Sequence, residues 1–133
     1  MKRVVVTGLG LVTALGNDVT TCWANLIAGK SGAGAITHFD SSKFKTQFAC
    51  EVKDLDVSNL FDPKELRRYD RYIHLAVKSA EEAINNAGLH ITQENPLRCG
   101  VIYGSGMGGV KTLDTNIGEF GAGDGTPRYS PFF

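Results

Sequence analysis

Chemistry in this sequence could reside in three places: its cysteines, its histidines, and a glycine-rich turn around a methionine. Cys22, Cys50 and Cys99 form no C-x-x-C pair, and none stands at metal-ligand spacing from His38, His74 or His90. An odd, scattered set of thiols suits a reducing compartment, with each thiol serving as a small buried hydrophobe. No metal site follows. His38 has no carboxylate or nucleophile at a telling distance, so it reads as a loop histidine that caps or pairs. His74 falls at the edge of an apolar helical stripe and reads as structural.

The third place carries the most information. Cys99–Gly109, CGVIYGSGMGG, reads as a short apolar strand entering a turn with glycine at 104, 106, 108 and 109. Glycines are costly to order, so a chain keeps them where the backbone needs positive φ or close approach. Met107 stands between Gly106 and Gly108. The turn is therefore expected to let a long, thin apolar object meet backbone, with Met107 touching it. Gly104, Gly106 and Gly109 also spell the G-x-G-x-x-G of a dinucleotide site, with Asp124 downstream. Such a site needs a second parallel strand ending on the acidic residue. Gly118–Ser130 is loop in composition, and that reading is set aside in favour of the apolar one.

Composition bounds the alternatives. The chain has 133 residues, a formal net charge of +0 and 42% hydrophobic residues. That is one domain's worth at most, with enough apolar content for a core. Zero net charge argues against a dedicated nucleic-acid binder, so a partner must be read by a local patch. No run approaches the roughly 18 apolar residues of a spanning helix, and Met1-Lys2-Arg3 before a glycine-broken run is a poor signal peptide. A cytoplasmic protein that meets no membrane is expected.

The elements that position these residues follow in order. Arg3–Thr7 is a β-branched run, expected as a strand covered on both faces. Asn17 or Asp18 caps a helix whose apolar residues are Val19, Cys22, Trp23, Leu26 and Ile27, with Gly29 at its C-terminal cap. The region 30–53 reads as a long connection with one extended piece, Phe48–Val52. Asp62-Pro63-Lys64-Glu65 opens a short helix with a cap, a first-turn proline and a glutamate at N3. Its Lys64, Arg67 and Arg68 share one face, a compact basic patch that is either solvated or a docking point for an acidic partner. A longer helix runs from about Asp70 to Ala87 and ends at Gly88. Alanines at 76, 80, 83 and 87 on its stripe predict another backbone in close contact. Helix potential returns at Val110–Glu119, and Ser130-Pro131 announces one more helix start.

Taken together, Arg3-Val4-Val5-Val6-Thr7-Gly8-Leu9-Gly10, the Trp23 helix, Gly29-Lys30-Ser31-Gly32, His38-Phe39-Asp40, Gly104–Gly109 and Ser130-Pro131-Phe132-Phe133 resemble the amino-terminal part of a β-ketoacyl-acyl-carrier-protein synthase. The elongating synthase II type is the nearest in kind. The resemblance runs through all 133 residues, in order, and covers about a third of a complete family member. It implies an α/β chain forming part of the first half of a thiolase-like fold, a mixed sheet layered with helices. Residues 1–133 are then the amino-terminal part of that domain, incomplete at the C-terminal end.

The resemblance also implies a reaction. Malonyl-acyl-carrier-protein is decarboxylated and condensed with an acyl-enzyme thioester to give 3-ketoacyl-acyl-carrier-protein, with no cofactor and in a homodimer. The family's nucleophilic cysteine and its histidines have no counterpart in these 133 residues, so no catalytic residue is assigned. The segment alone is expected to be inactive. What carries over is binding. Gly106, Met107 and Gly108 match the acyl-pocket wall. Phe132 matches an aromatic that reaches toward the other subunit's pocket, with Phe133 beside it. Lys64, Arg67 and Arg68 match a face offered to the acidic carrier protein and its phosphopantetheine-linked acyl and malonyl groups. The competing expectation is a non-catalytic chain-length-factor relative acting in a heterodimer.

Overall fold

In the computed structural model, residues 2–90 and 96–126 are described. They form four α-helices, a two-residue strand pair and a short 3-10 turn at Pro96–Arg98. Helix α1 is Val19–Ile27, α2 Pro63–Arg68, α3 Arg71–Asn86 and α4 Val110–Ala122; strands β1 (Gly34–Ala35) and β2 (Phe48–Ala49) are antiparallel, with Ala35 opposite Phe48.

Local chemistry sets the helix ends. Asp18, not Asn17, caps α1, accepting from the Thr21 backbone N–H at 2.7 Å and from the Thr21 hydroxyl at 2.8 Å. Those two bonds, the backbone one first, hold the Asp18 carboxyl below its usual range. Asp62 and Glu65 form a complete capping box around Pro63. Both long-loop exits are left-handed glycines. Gly29 (φ 67°) donates to Leu26 and Lys30 to Asn25, while Gly88 (φ 59°) donates to Asn85 and Leu89 to Ile84. Each is the paired 5→2 and 6→1 closure that satisfies the last carbonyls of a helix.

Helix α3 is the element on which the amino-terminal segment is mounted. A β-carbon at Gly8 would collide with the Ala83 carbonyl and lie 2.8 Å from the Ala87 methyl. One at Gly10 would overlap the Ser79 carbonyl and lie 2.7 Å from the Ala83 nitrogen. The alanine stripe of α3 therefore does meet another backbone, and glycine on the facing segment completes the approach. Polar side chains of α3 then tie the segment down. Glu82 accepts from Leu11 N–H at 2.8 Å and from Val19 N–H at 2.7 Å, and Asn86 accepts from Leu9 N–H at 3.0 Å. One carboxylate thus holds both the incoming segment and the Val19 amide at the start of α1, which the Asp18 cap on Thr21 does not reach.

The connection between α1 and α2 is closed by β1–β2 and by Glu51, which accepts from the Thr37 hydroxyl at 2.7 Å and from Thr37 N–H at 3.0 Å. Asn17 donates to the carbonyls of Lys53 and Asp54, and Arg71 to that of Val52 at 2.6 Å. These bonds anchor the loop to the residue before the α1 cap and to the start of α3.

Three expectations are corrected. Arg3–Thr7 forms no strand ladder, and Val4 is 95% exposed. Cys99–Tyr103 likewise forms none, with Ile102 fully exposed. β-Branched runs of this kind are strands only when neighbours supply the ladder and helices cover the faces, and the described residues supply neither. For the same reason Cys99 is exposed, as is Cys50; only Cys22 is buried as expected. Cys22 and Val57, 5% and 6% exposed, are the buried apolar residues among those described. The helix start expected at Ser130-Pro131 lies outside the described residues.

Candidate functional site

The glycine turn is built in two halves. Gly108 takes φ 62°, a conformation glycine adopts without strain, and its N–H donates to the Ser105 hydroxyl at 3.0 Å. Gly109 (φ −81°, ψ 56°) is the centre of a tight inverse turn in which Val110 N–H reaches the Gly108 carbonyl at 3.0 Å. A side chain at 109 would run into the carboxylate of Asp70. Positive φ at 108 and close approach at 109 thus account for two of the glycines. Gly104 and Gly106 face open space, with nothing within 4 Å of a β-carbon built on either. They are available to an object outside the described residues.

Met107 projects from the apex and is 81% exposed. The described residues therefore do not enclose it, and the pocket wall expected of Gly106, Met107 and Gly108 is not assembled by them alone. Phe132 and Phe133, expected beside that pocket, lie outside the described residues. Helix α4 follows the turn directly, but no parallel strand pair flanks it among the described residues. Asp124 accepts from Thr126 N–H at 2.9 Å, a local turn contact. A dinucleotide arrangement is not what this turn forms.

The basic patch is assembled as the spacing predicts. Lys64, Arg67 and Arg68 are exposed on α2. Glu65, which could have neutralised them, turns its carboxylate back to the Asp62 N–H at 3.1 Å to close the capping box. The helix then ends at Tyr69, and its edge-on contact with Phe61 (5.9 Å between centroids) seats α2 against the loop before it.

Beyond α2 the structure adds residues that helical spacing does not reveal. A cleft of about 650 Å³ opens between the α2–α3 turn and α4. Among the described residues, Arg67, Arg68, Arg71, His74, Lys111 and His38 line it, with Asp70 the single acidic one. The chain breaks from α2 at Tyr69 and restarts at Arg71, so Arg71 does not continue the α2 face. Lys111 arrives from the first turn of α4. No sequence signal joins it to α2, because the juxtaposition is tertiary.

The histidines behave as structural groups. His38 lies 3.9 Å from Glu51, whose carboxyl is held below its usual range by the Thr37 hydroxyl first and the Thr37 N–H second, with the His38 charge a smaller cause. His74 packs edge-on to Phe61 at 5.1 Å between ring centroids. Among the described residues no three His, Cys, Asp or Glu side chains are grouped to hold a metal ion. None of their helices is long and apolar enough to cross a membrane.

Comparison with known proteins is consistent with this layout. Residues 1–129 match the family model described as "Beta-ketoacyl synthase, N-terminal domain". The 3-oxoacyl-[acyl-carrier-protein] synthase 2 of Coxiella burnetii is 44% identical over 132 residues, 99% of this chain and 32% of that protein. The protein of the same name from Synechocystis is 46% identical over 113 residues, 85% of this chain and 27% of that protein. Among solved structures, one titled "The ishigamide ketosynthase/chain length factor" superposes with a TM-score of 0.77 at 30% identity, covering 98% of this chain and 32% of that one. This chain therefore spans about a third of the length of the curated relatives it matches.

Proposed function

Because this chain belongs to the β-ketoacyl synthase family, matching its amino-terminal domain and sharing the thiolase-like fold of its members, we propose that the full-length protein carrying it condenses malonyl-acyl-carrier-protein with an acyl-enzyme thioester in fatty-acid elongation. The observation that carries this reading is the 44% identity over 99% of the chain to a relative named 3-oxoacyl-[acyl-carrier-protein] synthase 2. In this reading residues 1–133 are the amino-terminal portion of a longer domain. They supply binding surfaces, while the nucleophile and the oxyanion donors that stabilise the condensation come from elsewhere in the protein.

Two surfaces of this chain fit those tasks. The turn at Gly104–Gly109 offers backbone free of β-carbons and one unbranched thioether, which adapts to a flexible chain more readily than a branched side chain. Two copies pair, so that Phe132 of one copy approaches the acyl pocket of the other. The exposed Lys64–Arg67–Arg68 face of α2 receives the acidic carrier protein, and its charge acts mainly on the rate and orientation of encounter.

The test is product formation. Full-length protein given acyl- and malonyl-carrier-protein is expected to yield 3-ketoacyl-carrier-protein and carbon dioxide in equal amounts. Absence of ketoacyl product favours the second reading, a chain-length factor acting in a heterodimer. That reading has one observation behind it, the structural match to a ketosynthase/chain-length-factor pair. In an active protein, Met107→Phe is expected to shorten the longest acyl chain accepted, because a rigid ring occupies the space a thioether vacates. A substrate series with unchanged chain-length preference contradicts the pocket role.

A further inference from the structure

Resting on the carrier-protein reading, we infer that the docking surface does not stop at α2 but runs through the basic cleft to α4, with Lys111 as a further docking residue. The cleft brings four permanent cations, Arg67, Arg68, Arg71 and Lys111, to one concave surface of about 650 Å³. The one acidic residue lining it among those described, Asp70, faces the backbone of Gly109 closely enough to exclude any side chain there. It makes no capping hydrogen bond at the start of α3. Like charges gathered in a concavity repel one another and focus a positive potential outward. An anionic partner relieves that repulsion, and a concave site holds it in one orientation.

The lining chemistry indicates what kind of anion fits. Arginine forks match carboxylate and phosphate oxygens in paired hydrogen bonds, and lysine adds a compact charge. Thr112, Thr115 and Asn116 on the same face of α4 add neutral hydrogen-bonding groups. Arg71 is already anchored, donating to the Val52 carbonyl at 2.6 Å, so its charge is held in place with little entropy left to lose. A protein surface of clustered carboxylates fits this cleft as a whole, and the carrier protein of the proposed reaction is such a partner. Lys111 stands apart from α2 in sequence, so its charge adds a second direction of attraction. That fixes rotation of the partner, which a single-helix patch cannot do.

The experiment is a titration of carrier protein into the full-length protein at low and at physiological salt. Lys111→Glu is expected to weaken binding about fivefold at low salt and to flatten its salt dependence. Lys111→Arg, which keeps the charge, is expected to bind as the parent does, so a loss caused by misfolding is separated from a loss of charge. If Lys111→Glu binds as tightly as the parent while reversal of Lys64, Arg67 and Arg68 weakens binding, the extension to α4 is wrong and the carrier reading stands. If neither change weakens binding, the carrier reading itself fails. Equal weakening by Lys111→Glu and Lys111→Arg also overturns the inference.

Discussion

Gly10→Ala in the full-length protein, about three times this chain's length, is expected to lower the thermal midpoint by about 3 °C, from roughly 3 kcal/mol of overpacking. A β-carbon at residue 10 overlaps the Ser79 carbonyl of α3, which is held in the helix backbone and cannot swing aside. Either the segment lifts off α3 or the helix bends. Lifting breaks the Leu9–Asn86 and Leu11–Glu82 hydrogen bonds as well, leaving the Glu82 carboxylate with one of its two backbone donors. Charged acceptors contribute more than neutral ones, so the loss compounds. Gly118→Ala is the contrast. It stands within α4 with nothing within 4 Å of the added methyl, and alanine favours the helix. No loss of midpoint is expected there. A differential-scanning measurement in which both variants melt like the parent contradicts the close packing on α3.

The second large effect concerns the carrier. Reversing Lys64, Arg67 and Arg68 together is expected to raise the apparent KM for carrier-bound substrates by at least about tenfold at low salt. Each exposed charge pair is worth only about 0.2–1 kcal/mol, but reversal replaces an attraction by a repulsion at three sites. The sum reaches the roughly 1.4 kcal/mol that a factor of ten requires. The salt dependence of KM should weaken in step, because the interaction it screens is gone. Pantetheine thioesters that lack the carrier are expected to be used almost as before. Equal damage to both substrate types assigns the patch a structural role. The closed capping box supports the contrast, since the three cations are not needed to cap α2 at its start.

How much of this was legible in the residues depends on the range of the interactions involved. Asp62-Pro63-Lys64-Glu65, Gly29 and Gly88 announced helix ends because the partners of a cap lie within a few positions of it. The alanine stripe of α3 announced a close backbone, since only contact leaves so little room. It could not say that Gly8 and Gly10 were the contact, because nothing in a local pattern names a partner some seventy residues away. The runs at 3–7 and 99–103 misled in a different way. A β-branched run forms a strand only where a neighbour pairs with it and other elements cover it, and among the described residues none does. Glu82 gave no signal at all. A glutamate on the polar side of an amphipathic helix looks solvated until a distant amide is brought to it.

The site divides along the same line. The α2 patch was visible because i, i+3 and i+4 spacing is enough to place three cations on one face. Arg71 and Lys111 were not, because a helix break and a fold stand between them and that face. In the glycine turn, Gly108 and Gly109 have reasons inside the described residues: a positive φ and the carboxylate of Asp70. Gly104, Gly106 and Met107 have none there. Their open surroundings are the physical content of the proposal that an acyl chain runs past them.

That proposal is tested most directly by a crystal structure of the full-length protein with an acyl chain trapped as its thioester. The expected result is chain carbons within about 4 Å of the Met107 side chain, passing over the bare backbone of Gly106. An acyl chain bound elsewhere, with the Met107 sulfur still facing solvent, contradicts the account.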